Sequence, residues 1–180
     1  MSEIYYRKSD LMELEEYLEE LQKKLIRSFD LFRNYELNDE KFDLFAKYHL
    51  RAEKYFLTKS AKIYGMESNE YILLKMMENL DNRGLEIITN NVIASIDKLV
   101  ELHDEHMSSI ITGVILIDKP LSEIDDDVLN KVSRFKYHKG FSFGFKGWVD
   151  IRLLLVSLKD GSNIANKKGK EVSEIFSFKN

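Results

Sequence analysis

Ser109-Ile110-Ile111-Thr112-Gly113-Val114-Ile115-Leu116-Ile117-Asp118 is the stretch that decides the fold. It is an almost unbroken apolar run, bounded by polar residues and by Pro120, the single proline of the chain. A run this short and this continuous reads as a strand covered on both faces, which places it centrally in a sheet with layers above and below.

The segments around it supply those layers. Upstream, Asp81-Asn82 opens a helix in which Leu85, Ile88, Val92, Ile96, Leu99 and Val100 recur at helical spacing until about His103. Before it, Phe42, Leu44, Ala46, Tyr48 and Leu50 alternate with Asp43, Lys47, His49 and Arg51, the period of a half-buried strand. Residues 55–64 and 70–76 read as two further strands, with Glu67-Ser68-Asn69 as the turn between them, giving an antiparallel meander. The chain starts with Leu11, Leu14, Leu18, Leu21 and Leu25 on one helix face, extended by Ile26 and Phe29 and capped by Ser9 or Asp10. The glutamates between the leucines cover the solvated face.

Downstream, a short helix begins at Ser122. Asp125, Asp126 and Asp127 occupy its first turn and Lys131, Arg134 and Lys136 its last, matching both ends of the helix dipole. Capping thus accounts for the three aspartates, which as metal ligands would need further donors from elsewhere. Residues 139–146 and 149–158 read as strands joined through Gly147, followed by a turn at Asp160-Gly161, a short strand at 163–165 and a short helix near 172–176. The expected fold class is therefore α+β: a mixed, largely antiparallel sheet of six to seven strands, with a long N-terminal helix and two further helices packed on it. Residues 1–180 form one expected domain, with no internal repeat, linker or low-complexity tract.

Composition narrows the function classes. With 44% hydrophobic and 32% charged residues the chain is of ordinary globular make-up. It has no cysteine, which excludes disulfides, thiolate metal sites and cysteine nucleophiles and points to a reducing, cytoplasmic setting. The N-terminus MSEIYYRKSD carries no signal-peptide pattern, and no apolar run approaches the roughly 20 residues of a membrane span. Net charge is −4 but uneven: residues 131–180 hold 11 Lys or Arg against 4 Asp or Glu, a balance of +7, leaving −11 for residues 1–130. A basic final third implies an anionic partner unless it neutralises the acidic remainder within the fold.

Two constellations can carry chemistry. His103-Asp104-Glu105-His106 is the densest group of potential ligands, and two histidines three apart can face one divalent metal from one helical turn. Their place where a helix ends is equally the position a helix dipole favours for histidine. The second runs from Phe135 to Trp148. Phe141, Phe143 and Phe145 would share one strand face between Lys139 and Lys146, and aromatic rings beside basic side chains are how single strands of nucleic acid are held. Lys139-Gly140-Phe141-Ser142-Phe143 resembles the first five places of the aromatic strand motif of the RNA-recognition fold, but here a helix precedes the strand and strands follow it. Packing of that face under a helix is the structural alternative. Gly140, Gly144 and Gly147 mark an irregular edge, and Asn166-Lys167-Lys168-Gly169-Lys170 is a lysine-rich turn without phosphate-loop spacing.

The stretches FDLFAKYHLRAEKYFLTK, HDEHMSSIITGV and FKYHKGFSFGFKGWVDIRLLLV together resemble an uncharacterised family of small cytoplasmic proteins from anaerobic bacteria and archaea. That resemblance covers about residues 10–175 and implies a single-domain protein, with no activity to carry over. The order helix, three strands, helix, strand also looks like the core of the restriction-endonuclease-like superfamily, whose metal site pairs an Asp with an acidic-x-Lys motif. The sequence departs from it, because Glu70 and Lys75 have the wrong spacing and Asp39-x-Lys41 falls in a turn.

The reading is a non-catalytic binding or interaction module for an anionic ligand: nucleic acid, a nucleotide or an acidic partner. Its expected ligand residues are Lys136, Tyr137, His138, Lys139, Phe141, Phe143, Lys146, Lys167, Lys168 and Lys170, with no cofactor and no catalytic residue assigned. Homo-oligomerisation through the same edge stays open. The alternative is a metal-dependent hydrolase or phosphodiesterase built on His103 and His106, with His138 and Asp104 or Glu105.

Overall fold

The computed structural model describes residues 8–54 and 64–177. Seven strands form one sheet: β1 (Asp30–Leu37), β2 (Glu40–Lys54), β3 (Tyr64–Met76), β4 (His106–Ile117), β5 (His138–Gly140), β6 (Trp148–Ser157) and β7 (Asn163–Ala165). The helices are α1 (Lys8–Leu25), α2 (Asn82–Ala94), the single turns α3 (Ile96–Leu99) and α5 (Ser173–Phe176), and α4 (Asp126–Arg134). Strand order is β1-β2-β3-β4-β6-β5, with β7 on the same edge of β6 as β5. The flanking pairs are antiparallel, while β3, β4 and β6 run parallel at the centre.

The apolar run lies where expected, in β4 between β3 and β6. Its side chains alternate between two cores. Ile111 and Ile115 join Leu73, Val149, Ile151 and Leu153 beneath α2 and α4. Val114 and Leu116 join Leu74, Leu154 and Val156 beneath α1 and α5. Gly113 lets α2 approach: a Cβ there would stand 3.0 Å from a Val92 methyl. On the other face α1 buries Leu14, Leu18, Leu21 and Leu25. The buried Tyr17 hydroxyl donates to the Phe176 carbonyl (2.9 Å), and Lys159 reaches both Asp118 and Glu13 at 2.8 Å. Those two acceptors push the Lys159 amine up to about 12.

Several expected boundaries are corrected. α1 already runs at Lys8, so Ser9 and Asp10 lie within the helix and not ahead of it, and it stops at Leu25; Ile26 is 68% exposed. The chain then turns into β1, an edge strand half-exposed along its length, joined to β2 by Asn38 and Asp39 at φ 54° and 61°. The meander does have three strands, but β1 is its first member. Glu67, Ser68 and Asn69 form no turn: they lie within β3, opposite Arg51, Leu50 and His49. Residues 55–63 of the expected second strand lie outside the described residues. The second helix breaks at Ser95 and ends at Leu99, short of His103. The third helix opens at Asp126, not at Ser122, which lies in a separate 3-10 turn over residues 121–123; Asp125 caps α4 through the Asp127 amide (2.8 Å), and α4 ends at Arg134, before Lys136. The largest correction concerns residues 139–146: only His138–Gly140 is strand, and residues 141–147 are a loop.

Candidate functional site

The candidate site is the outer edge of β6. β5 pairs only with Trp148, Val149 and Asp150, and β7 only with Leu154, Leu155 and Val156. Asn166 fills the gap. Its carboxamide oxygen accepts from the Leu153 and Gly169 amides (3.1 and 2.7 Å), and its nitrogen donates to the Phe135 and Ile151 carbonyls (3.2 and 3.1 Å). Only 2% exposed, Asn166 bolts together two segments thirty residues apart, 134–139 and 166–170. These are the segments that carry Lys136, Tyr137, His138 and Lys139 on one side and Lys167, Lys168 and Lys170 on the other.

Charge along this edge is unbalanced. Residues 134–148 and 161–170 contain no Asp or Glu. Lys131, Arg152, Lys159 and Lys168 are ion-paired inside the fold. Among the described residues Arg134, Lys136, Lys139, Lys146, Lys167 and Lys170 have no carboxylate at ion-pair distance. Lys139 rests over the Phe141 ring at 5.4 Å. The basic final third is thus neutralised in part, and its unpaired lysines lie in the segments that flank the outer end of β6.

The aromatic residues part company. Phe141 is buried at 9% and Tyr137 packs against the same core, whereas Phe143 and Phe145 are fully out in solvent at 104% and 88%. Ser142, Phe143, Gly144 and Gly147 all take positive φ (48°, 55°, 90° and 75°), so the chain coils instead of extending. The expected shared face of three phenylalanines does not exist, and neither does its packing under a helix; close glycine spacing breaks the strand after Gly140.

Asp150 and Arg152, set in the otherwise apolar β6, form a polar cluster on the sheet face that α1 covers farther along. Asp150, 8% exposed, accepts from His138 Nδ1 at 2.8 Å and from Lys168 at 3.2 Å. Arg152, 7% exposed, holds Glu70 (3.0 Å) and Glu171 (3.1 Å), while its Nε has no partner among the described residues. Neither residue stood out in the sequence, although two charges at alternate places in an apolar strand signal buried partners.

The two histidines of the HDEH segment serve the fold. His106, 3% exposed, donates from Nδ1 to the Lys146 carbonyl (2.7 Å), leaving Nε2 to accept from the Ser109 hydroxyl (3.0 Å). His103 presents Nε2 to Glu67 (2.9 Å) and accepts the Glu105 amide at Nδ1 (3.3 Å). Their rings lie 6.3 Å apart, with no ring nitrogen left over, and His138 lies on the opposite face of the sheet. The ring nitrogens of both histidines are taken by partners other than Asp104, and Glu105 pairs with Arg51 at 2.9 Å. No cluster of three or more His, Asp or Glu able to hold a metal occurs among the described residues. His103 instead borders a groove of about 280 Å³ with His49, Asn69 and Tyr71. There His49 Nδ1 meets Asn69 Oδ1 at 2.6 Å, and burial, reinforced by Glu101, raises the Tyr71 phenol. A second groove, about 390 Å³, lies beyond the carboxyl ends of β3 and β4, where Asp81 and Asp125 are occupied as helix caps. Glu70 and Lys75 fall on opposite faces of β3, and Asp39 is in the β1–β2 turn, so the endonuclease-type acidic pair is not assembled.

A family model described as a domain of unknown function (DUF8052) matches residues 13–178. The chain belongs to the DUF8052 family. The match runs from within α1 through α5, so the basic edge, the aromatic loop and the HDEH corner all fall inside the DUF8052 match. No curated protein and no solved structure matches the chain. No helix among the described residues of this DUF8052 chain is long and apolar enough to cross a membrane.

Proposed function

We propose that the domain is a non-catalytic binding module whose ligand is anionic and is engaged along the β5–β7 edge. The observation that carries this reading is the Asn166 bolt, which holds two acid-free, lysine-bearing segments side by side. A lysine row costs self-repulsion unless a counter-charge meets it, and here the nearby carboxylates are already engaged: Asp150 by His138 and Lys168, Glu171 by Arg152. The reading needs no metal and assigns His138 and Lys168 as contacts, oriented by Asp150.

Trp148, the single tryptophan, opens β6 beside the loop and reports on the edge. Its emission is followed while inorganic polyphosphate is titrated at 50 and at 300 mM salt. Saturable binding that weakens at the higher salt, and that is abolished when Lys136, Lys139, Lys167 and Lys170 are all changed to Gln, is the expected result. Absence of binding at the lower salt overturns the reading.

A further inference from the structure

We infer that the ligand of this edge is single-stranded nucleic acid, with Phe143 and Phe145 as the platform on which unpaired bases stack. The inference rests on the proposal above that the edge is an anion-binding surface, and it names the anion.

The loop is wound, not loose. Within residues 141–147 the Phe141 amide donates to the Gly147 carbonyl (2.9 Å), and the Gly144 and Lys146 amides both donate to the Phe141 carbonyl (2.8 and 3.2 Å). Phe145 and Gly147 close two further turns on Ser142 and Gly144. Phe141 roots the loop in the core, and His106 grips the Lys146 carbonyl beneath it. This frame holds Phe143 at φ 55°, in the left-handed region that a bulky side chain avoids, with its ring touching no core. Two rings held outward in this way stabilise nothing within the domain.

A ligand that suits them has flat apolar faces and negative charge in a row. The cations flank the edge of β6 between Trp148 and Leu153: Lys139 stands opposite Val149, Lys136 follows beyond Tyr137, and Lys167 to Lys170 run from Asn166, at Leu153, back toward Asp150, which Lys168 reaches. From Trp148 to Leu153 that edge is about 17 Å long, the length of roughly four phosphates of an extended strand. A duplex hides its base faces by stacking, so it offers charge but nothing for the rings. A bilayer takes in a broad apolar face, whereas here two rings, Phe143 and Phe145, project from one short loop.

Four probes separate the outcomes with the full chain: a fluorescein-labelled 20-nucleotide oligo-dT, a duplex of equal length, inorganic polyphosphate, and phosphatidylserine/phosphatidylcholine vesicles. The oligonucleotide is expected to bind at least 10-fold more tightly than duplex or polyphosphate, and to lose about 50-fold in affinity between 50 and 200 mM salt, as four neutralised phosphates require. Phe143→Ser combined with Phe145→Ser is expected to weaken it about 100-fold, about tenfold per ring, without changing polyphosphate binding. Because neither ring packs in the core, the melting temperature of the double variant should not fall. Equal affinity for oligonucleotide, duplex and polyphosphate, indifferent to the serine changes, overturns the inference and leaves the anion-binding edge standing. Vesicle binding that depends on the two rings, without preference for the oligonucleotide, also overturns it. Failure of every polyanion removes the underlying reading itself.

Discussion

Two loops lead into the parallel strands β4 and β6 at the same end of the sheet, and they touch. The first, His103 to His106, looks like chemistry in the sequence, yet every ring nitrogen in it is occupied by Glu67, the Glu105 amide, the Lys146 carbonyl or Ser109. The second, Phe141 to Gly147, looks like an ordinary strand, yet it turns two phenylalanines away from the fold beside an edge of unpaired lysines. Density of reactive side chains therefore says little about function here. What separates the loops is whether the fold uses up the interactions their side chains can make.

The harshest way to break this contrast is to remove the bolt that assembles the open side. Asn166→Leu is of similar volume but leaves two buried amides and two carbonyls without partners. It is expected to destabilise the domain by about 4 kcal/mol and to shift the urea midpoint accordingly. A loss below about 1 kcal/mol would mean that water can replace Asn166 and that the edge is not held by it.

Gly147 and Gly144 sharpen the contrast within one loop. A Cβ on Gly147 collides with the Met107 carbonyl and stands 2.8 Å from His106 Nδ1, at φ 75°. Gly144, at φ 90°, has nothing within 4 Å. Gly147→Ala should cost roughly 3 kcal/mol and Gly144→Ala about 1 kcal/mol, the conformational part alone, as read from thermal melts. Equal losses would show that Gly147 is not pressed against β4.

Much of the architecture was legible because it follows from periodicity and burial. The run at 109–118 marked the central strand, the leucine spacing marked α1, and the three aspartates at 125–127 marked a helix end, although α4 opens at Asp126 and not at Ser122. The failures have common physical causes. Ile26 continues the α1 spacing but faces solvent, and Phe29, which packs against the α1 core, does so from beyond the helix, where the chain reverses into its pairing with β2. Glu67-Ser68-Asn69 has turn composition, but opposite Arg51, Leu50 and His49 its residues gain a sheet ladder. Phe141, Phe143 and Phe145 alternate as a strand should, and only the positive φ values around Gly144 show that the alternation is broken. The candidate edge was half legible. The lysines were visible as an uneven charge, but Asn166, which brings them together, is a polar residue in a polar turn, and its four hydrogen bonds exist only in three dimensions.

The histidine corner yields a smaller, paired prediction. His106→Ala removes a buried ring hydrogen-bonded at both nitrogens and should cost about 2–3 kcal/mol. His103→Ala removes a side chain 40% exposed and should cost under 1 kcal/mol. Both losses are expected to be the same with or without added zinc or manganese, measured by thermal melting. A zinc-dependent gain in stability that His103→Ala abolishes would place a function in the closed loop and reverse the contrast.

The smallest effect tests the same principle on a carboxylate. Asp43 accepts the Met76 amide at 2.7 Å, but burial outweighs that bond and the nearby Lys75, Arg33 and Lys41, so its carboxyl is held above the usual range. A raised folded value means that the native state binds the proton more tightly than the unfolded chain does. The group's contribution to stability is complete below its unfolded value and disappears as pH rises through the folded one. Asp43→Asn keeps an acceptor for Met76 and cannot ionise. The variant should therefore match or slightly exceed the wild type at pH 7, and the difference should shrink as pH falls through the mildly acidic range, in denaturation series at constant salt. The opposite trend, with Asp43→Asn weaker at pH 7 and recovering in acid, would show that the ionised carboxylate is itself stabilising, so that the attraction of its three basic neighbours exceeds the cost of burying it.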